Sequence, residues 1–281
     1  MRRRFMAALA AVALGVGLLA AGAASPASAA SSSSSVAKYV ALGDSIGAGQ
    51  GGGAPLDACA RTGGGYAAQL DQAPKFNLLR NGACSGATIA GVQAQLPQLN
   101  RGTTVVTLTV GANDLGLDQI YAACSAAAAG GPTAPCAAAI TAALGAAPGL
   151  PAPLGSLIGD IAQRAPNATV VVTGYPHLLT PLPFGQGVDD LAALVQAVNS
   201  ATDALNAAIQ AAVASAGAQG VNVAYVDVVG AFAGHGVQLV PGVPSDPWFG
   251  TDPVNDPAGF LHPTYAGYTA YTQVILMSLG R

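Results

Sequence analysis

The chain has 281 residues, of which 52% are hydrophobic and only 8% charged, and its formal net charge is −3. That length suits one α/β domain with a full core, and the acidic balance excludes an electrostatic footprint for nucleic acid. The hydrophobic fraction draws more on alanine than on any other residue, and no run beyond the N-terminal segment is long and apolar enough for a stable membrane span.

A basic start, Arg2-Arg3-Arg4, precedes an apolar run from Phe5 to Ala20 and the small-residue motif Ala27-Ser28-Ala29. This pattern predicts a secretory signal peptide over residues 1–29 and hence a secreted protein. Residues 30–37, rich in serine, are expected to be a solvated spacer, with the folded domain over 38–281. Loss of the leader's three arginines leaves seven basic residues against thirteen aspartates, a balance of −6. The chain contains no glutamate, so any side-chain carboxylate in its chemistry is an aspartate's.

The first expected strand, 39–42, runs straight into the small-residue turn Gly43-Asp44-Ser45. Further strands are expected at 76–79, 104–110, 168–173 and 221–226. Helices are expected at 66–72, 89–96, 154–164, 189–215 and 265–279. The longest carries the stripe Leu191, Leu194, Val195, Val198, Leu205 and Ile209. Alternating strands and helices predict a parallel sheet covered on both faces. Residues 124–153, rich in Ala, Gly and Pro, read as a disulfide-tied excursion that is partly helical. Residues 246–261, with Pro247, Pro253 and Pro257, read as a long loop leading to His262.

Four cysteines in an exported chain predict two disulfides, with three connectivities open. Short loops and local placement favour Cys59–Cys84 and Cys124–Cys136. There is no Cys-x-x-Cys, and no histidine stands at ligand spacing from a cysteine, so no metal is expected.

A serine at the end of a strand projects its hydroxyl from the sheet's edge, where a substrate reaches it, and it needs a base to act as a nucleophile. Three histidines are available. His177 and His235 follow Gly174-Tyr175-Pro176 and Phe232-Ala233-Gly234 and are read as structural or substrate-flanking. His262 stands at a loop-to-helix junction, fixed by Pro263. Two competing motifs fail on context. Gly43-Asp44-Ser45-Ile46-Gly47 fits the nucleophile elbow of α/β-hydrolases, yet only one strand precedes it. Gly47-Ala48-Gly49-Gln50-Gly51-Gly52 fits a dinucleotide loop, yet it leads to Gly53 and Pro55 and not to a helix.

Gly43-Asp44-Ser45, Gly86 within Cys84-Ser85-Gly86-Ala87-Thr88, Asn113 within Gly111-Ala112-Asn113-Asp114, and His262-Pro263-Thr264 occur in that order. Together they resemble the four blocks of the SGNH (GDSL) hydrolase family, and within it the secreted actinobacterial esterases, lipases and phospholipases. The resemblance implies a three-layer α/β/α fold with a flavodoxin-like, five-stranded parallel sheet. It implies Ser45 as nucleophile, His262 as general base and then acid, and an oxyanion hole from the Ser45 and Gly86 N–H groups and the Asn113 amide. It implies no cofactor, a small-molecule or lipid ester as substrate, and a monomer as the acting unit. Two departures stand out. The third disulfide of many such relatives is absent, and Gly259 replaces the family's acid three residues before the histidine. The group that orients His262 is therefore either Asp256 folded back or a main-chain carbonyl at or near Gly259, of which the carbonyl is favoured. A carbohydrate O-deacetylase, and a catalytically silent surface or carbohydrate-binding protein on the same fold, are the alternatives.

Overall fold

In the computed structural model, which describes residues 35–281 apart from Phe184, Gln186, Val188 and Pro241, five strands form one parallel sheet. They are β1 (Ala37–Gly43), β2 (Phe76–Asn81), β3 (Val105–Thr109), β4 (Thr169–Thr173) and β5 (Val223–Val226), in the spatial order β2-β1-β3-β4-β5. The expected leader, 1–29, and the spacer up to residue 34 lie outside the described residues. All of β3 is buried, as is β1 but for Lys38, because both run down the middle of the sheet with helices on either side.

Among the described residues, eight α-helices follow the same logic: α1 (Ser45–Ala48), α2 (Tyr66–Asp71), α3 (Ile89–Gln93), α4 (Leu117–Ala128), α5 (Ala134–Ala146), α6 (Pro151–Arg164), α7 (Asp189–Ala218) and α8 (Tyr265–Ser278). Helices α2 and α8 pack together, while α3, α6 and α7 form a second group. This is the three-layer α/β/α arrangement, and right-handed crossovers account for it. The step from β1 to β2 runs opposite to all later steps, so its helix lies on the other face.

Between β3 and β4 the structure is more helical than the sequence pattern indicates. Helix α4 opens at Leu117, ahead of the expected excursion, and α5 fills the alanine-rich stretch, with the Cys124–Cys136 disulfide joining the two. Alanine has the highest helix propensity but leaves no apolar stripe to read. Helix α6 starts at Pro151, whose missing N–H costs nothing in a first turn. Among the described residues no single helix is long and apolar enough to cross a membrane.

Buried hydroxyls run across the sheet on one face. Tyr39 bonds Thr107 at 2.7 Å, Tyr66 of α2 bonds Thr109 at 2.9 Å, and Thr109 bonds Thr173 at 2.6 Å. Each polar group there has a partner, which is the condition for burying it. On the long helix α7, Asn199 and Asn206 lie two turns apart and are both buried. They clasp the main chain of Leu179 and Tyr175, and so hold the segment after β4 onto the helix.

Candidate active site

Strand β1 ends at Gly43, whose φ of +133° and proximity to β3 admit no side chain: a Cβ would lie 2.1 Å from the Thr109 carbonyl oxygen. The Asp44 N–H continues the ladder to that oxygen at 2.9 Å, while the Asp44 carboxylate turns back to cap α1, accepting the Ile46 N–H at 2.9 Å. Ser45 is thereby the first residue of a one-turn helix at the sheet's carboxyl edge. The Gln95 side chain grips Gly43 from beneath through two 2.8 Å bonds.

His262 reaches this serine from the loop before α8. Its Nε2 lies 2.9 Å from the Ser45 hydroxyl oxygen. The loop is pinned at Gly250, which donates to the His262 carbonyl at 2.9 Å and accepts from Leu261 at 2.8 Å. The His262 Nδ1 lies 3.0 Å from the Phe260 carbonyl oxygen. A carbonyl only accepts, so Nδ1 carries the proton and Nε2 presents its lone pair to Ser45.

A main-chain carbonyl beside Gly259 faces the ring, as favoured from the sequence, though it is not that of Gly259 itself. The Asp256 carboxylate accepts the Gly259 N–H at 2.9 Å, which closes a turn of the loop. The Gly259 carbonyl accepts the main-chain N–H of His262 at 3.0 Å. The acceptor facing the imidazole is one residue further on, at Phe260, where the left-handed Leu261 (φ +58°) turns the chain between that carbonyl and His262. Side-chain pattern gives no sign of a main-chain acceptor. Gln50 is a second residue that the sequence did not mark: its amide donates to the Ala258 carbonyl at 2.6 Å and lies 3.5 Å from His262 Nδ1.

Asn113 opens the turn after β3 and lines the same cleft as Ser45 and His262. Its amide donates to the Ala87 carbonyl at 2.9 Å, leaving a second amide hydrogen available. Asp114 accepts the Ile89 N–H at 3.0 Å, so two adjacent side chains strap the Gly86 loop to the β3 turn. Gly86 has a φ of +76° that favours glycine, and open space lies where a side chain would project. It is not among the residues lining the cleft, but it sits two residues after Cys84, which is bridged to Cys59. Among the described residues, neither the Ser45 nor the Gly86 N–H is taken up by a protein acceptor.

The cleft is mostly apolar beyond these groups, with Ile46, Leu115, Ile120, Leu178 and Leu261 in its walls. Ile120, Leu178, Val198 and Leu261 also wall a neighbouring apolar cavity that reaches Leu194 and Leu239. The other two histidines are engaged elsewhere. His177 pairs with Asp203 at 2.7 Å, and His235 stacks on Trp248 with ring centroids 3.6 Å apart. Asp44 is 1% exposed, and burial pushes its carboxyl up to about 7 against the pull of its hydrogen bonds.

Comparison with known proteins agrees with this geometry. Residues 41–270 match the GDSL-like Lipase/Acylhydrolase family. Lipase 1 of Streptomyces coelicolor is 30% identical over 273 residues, which is 95% of each chain. Among solved structures, the extracellular lipase of Streptomyces rimosus superposes with a TM-score of 0.72 at 31% identity, over 86% of this chain and 99% of that one. Phospholipase A1 of Streptomyces albidoflavus does so with a TM-score of 0.73, at the same identity and coverage.

Proposed function

We propose, from the premise that this chain belongs to the GDSL-like lipase/acylhydrolase family and is a carboxylic ester hydrolase, that it is exported and cleaves esters of extended acyl chains through a Ser45 acyl-enzyme. The observation that carries the mechanism is the 2.9 Å contact between Ser45 Oγ and a His262 Nε2 whose lone pair faces it. Ser45 Oγ attacks the ester carbonyl carbon while Nε2 takes the hydroxyl proton. The charge gathers on the former carbonyl oxygen, within reach of the Ser45 and Gly86 N–H groups and the free Asn113 amide hydrogen. The imidazolium formed is held by the Phe260 carbonyl dipole at Nδ1. Nε2 then gives its proton to the departing alkoxide. Water, deprotonated by the same nitrogen, attacks the acyl-enzyme, and the returned proton restores Ser45 as the acid leaves.

The apolar walls argue for an aliphatic acyl group over an acetylated sugar. The cleft shares walls with a second apolar cavity, so an acyl chain laid against them would bury methylenes, each worth about 0.8 kcal/mol. Export is supported by the leader pattern, by two disulfides, and by an S. rimosus structural relative described as extracellular. A panel of p-nitrophenyl esters tests the substrate reading. From acetate to octanoate kcat/KM should rise by roughly tenfold or more, the minimum expected if only two or three methylenes are buried. A maximum at acetate would favour a deacetylase.

A further inference from the structure

Gly174-Tyr175-Pro176, at the carboxyl end of β4, sets a buried tyrosine against the serine turn. Tyr175 is 6% exposed, and its hydroxyl makes two bonds to two different strand ends. It donates to Asp44 Oδ2, and it accepts the Ala112 N–H at 3.4 Å. Asp44 immediately precedes Ser45 in the turn after β1, and Ala112 immediately precedes Asn113 in the turn after β3. The tyrosine is itself clamped: its N–H donates to Asn206 at 2.8 Å, and its carbonyl accepts the Asn206 amide at 2.8 Å. The Tyr271 hydroxyl donates to the Gly174 carbonyl at 3.1 Å. Packing alone does not call for this hydroxyl, since a phenylalanine ring fills the same space.

We propose that Tyr175 is a positioning residue for ester hydrolysis: its hydroxyl ties the Ser45 turn to the Asn113 turn and holds nucleophile and oxyanion donors in one register. This rests on the roles given above to Ser45 and Asn113. The two oxygens of the Asp44 carboxylate serve different partners. Oδ1 caps α1 through Ile46, and Oδ2 takes the Tyr175 hydroxyl. With the hydroxyl gone, the carboxylate can turn, release Ile46 and loosen the helix that begins at Ser45.

Protonation gives the idea a distinct signature. Burial raises the Asp44 carboxyl to about 7, and the Tyr175 bond is the first of the interactions that oppose the rise. Removing it favours the protonated acid still further, so ionised Asp44 would appear only at higher pH. The groups packed round Asp44 do not titrate in that range. Tyr175 is held well above the usual phenol range by burial and by the Asp44 charge. Tyr66 on α2 is raised to about 12, and Tyr268 and Tyr271 on α8 are raised well above the usual range. His262 faces the hydroxyl of Ser45, the next residue, in wild type and variant alike.

The test is the pH profile of kcat for Tyr175→Phe in the full mature chain, beside Ser45→Ala. Tyr175→Phe should lower kcat by about 10–100-fold, the scale of a small misplacement of reacting groups, with KM within about threefold. Its acid limb should move to higher pH. Wild-type kcat with an unmoved limb in a Ser45-dependent enzyme overturns the proposal, and so does a fall in kcat without movement of the limb. Turnover that survives Ser45→Ala instead overturns the mechanism beneath it. If Tyr175→Phe fails to fold, Asp44→Asn tests the bond from its other end. It should lower kcat and remove one proton from the acid limb, and an unchanged profile would refute the idea.

Discussion

At the level of single residues, the proposed reaction turns on how His262 is held. A carboxylate opposite Nδ1 would offer a full charge to the imidazolium, whereas the Phe260 carbonyl offers a dipole fixed by the main chain. The nearby Asp256 spends its carboxylate on the Gly259 N–H, and a side chain at Gly259 would strike it, with a Cβ only 2.2 Å from Oδ2. Glycine at the position of the family's acid therefore serves the shape of the loop. Asp256→Asn keeps an oxygen acceptor for that N–H and should change kcat by less than roughly tenfold, on the scale of a surface substitution. Loss of the carboxylate in a Ser–His–Asp triad costs about 10⁴ in kcat, so kcat of the folded variant separates the two arrangements.

Among the elements, the loops that carry the site are stapled by covalent and polar ties. The Cys59–Cys84 bridge spans 25 residues and anchors the chain just before Gly86, whereas Cys124–Cys136 spans 12 and joins α4 to α5. Replacing either pair with serine should cost about 2–4 kcal/mol in denaturant unfolding. Only loss of Cys59–Cys84 should also lower kcat on acetate, a substrate too short to need the α4 wall. Much of this was legible in advance. The strands at 39–42, 104–110 and 168–173 announce themselves as short apolar runs, and the apolar stripe from Leu191 to Ile209 marks α7. Between residues 117 and 146 the sequence shows some helix but not the bounds of α4 and α5, because alanine buries and exposes alike, which erases the period. The one-turn helix at Ser45 was also missed, since four residues carry no pattern and its cap comes from Asp44, which reads from sequence as an ordinary turn residue. The Phe260 carbonyl was out of reach for another reason. Which main-chain oxygen faces a ring depends on the left-handed backbone at Leu261, and leucine gives no warning of it.

For the molecule as a whole, strand order explains why the site lies where it does. In the order β2-β1-β3-β4-β5 the chain leaves β1 towards one edge and β3 towards the other, opening a crevice between their carboxyl ends. Ser45 follows β1 and Asn113 follows β3, one on each side of that crevice, while Tyr175 follows β4. His262 arrives from 217 residues beyond Ser45, in the loop before the last helix. In the proposed mechanism the nucleophile is therefore activated only in the folded protein, which alone brings His262 to Ser45. Labelling of the intact protein by a serine-directed aryl phosphonate, followed by mass and peptide mapping, tests this most directly. The account predicts one adduct per folded molecule, on the peptide containing Ser45, with none in Ser45→Ala and none after unfolding in urea. An adduct on another serine, or full ester hydrolysis by Ser45→Ala, would contradict it.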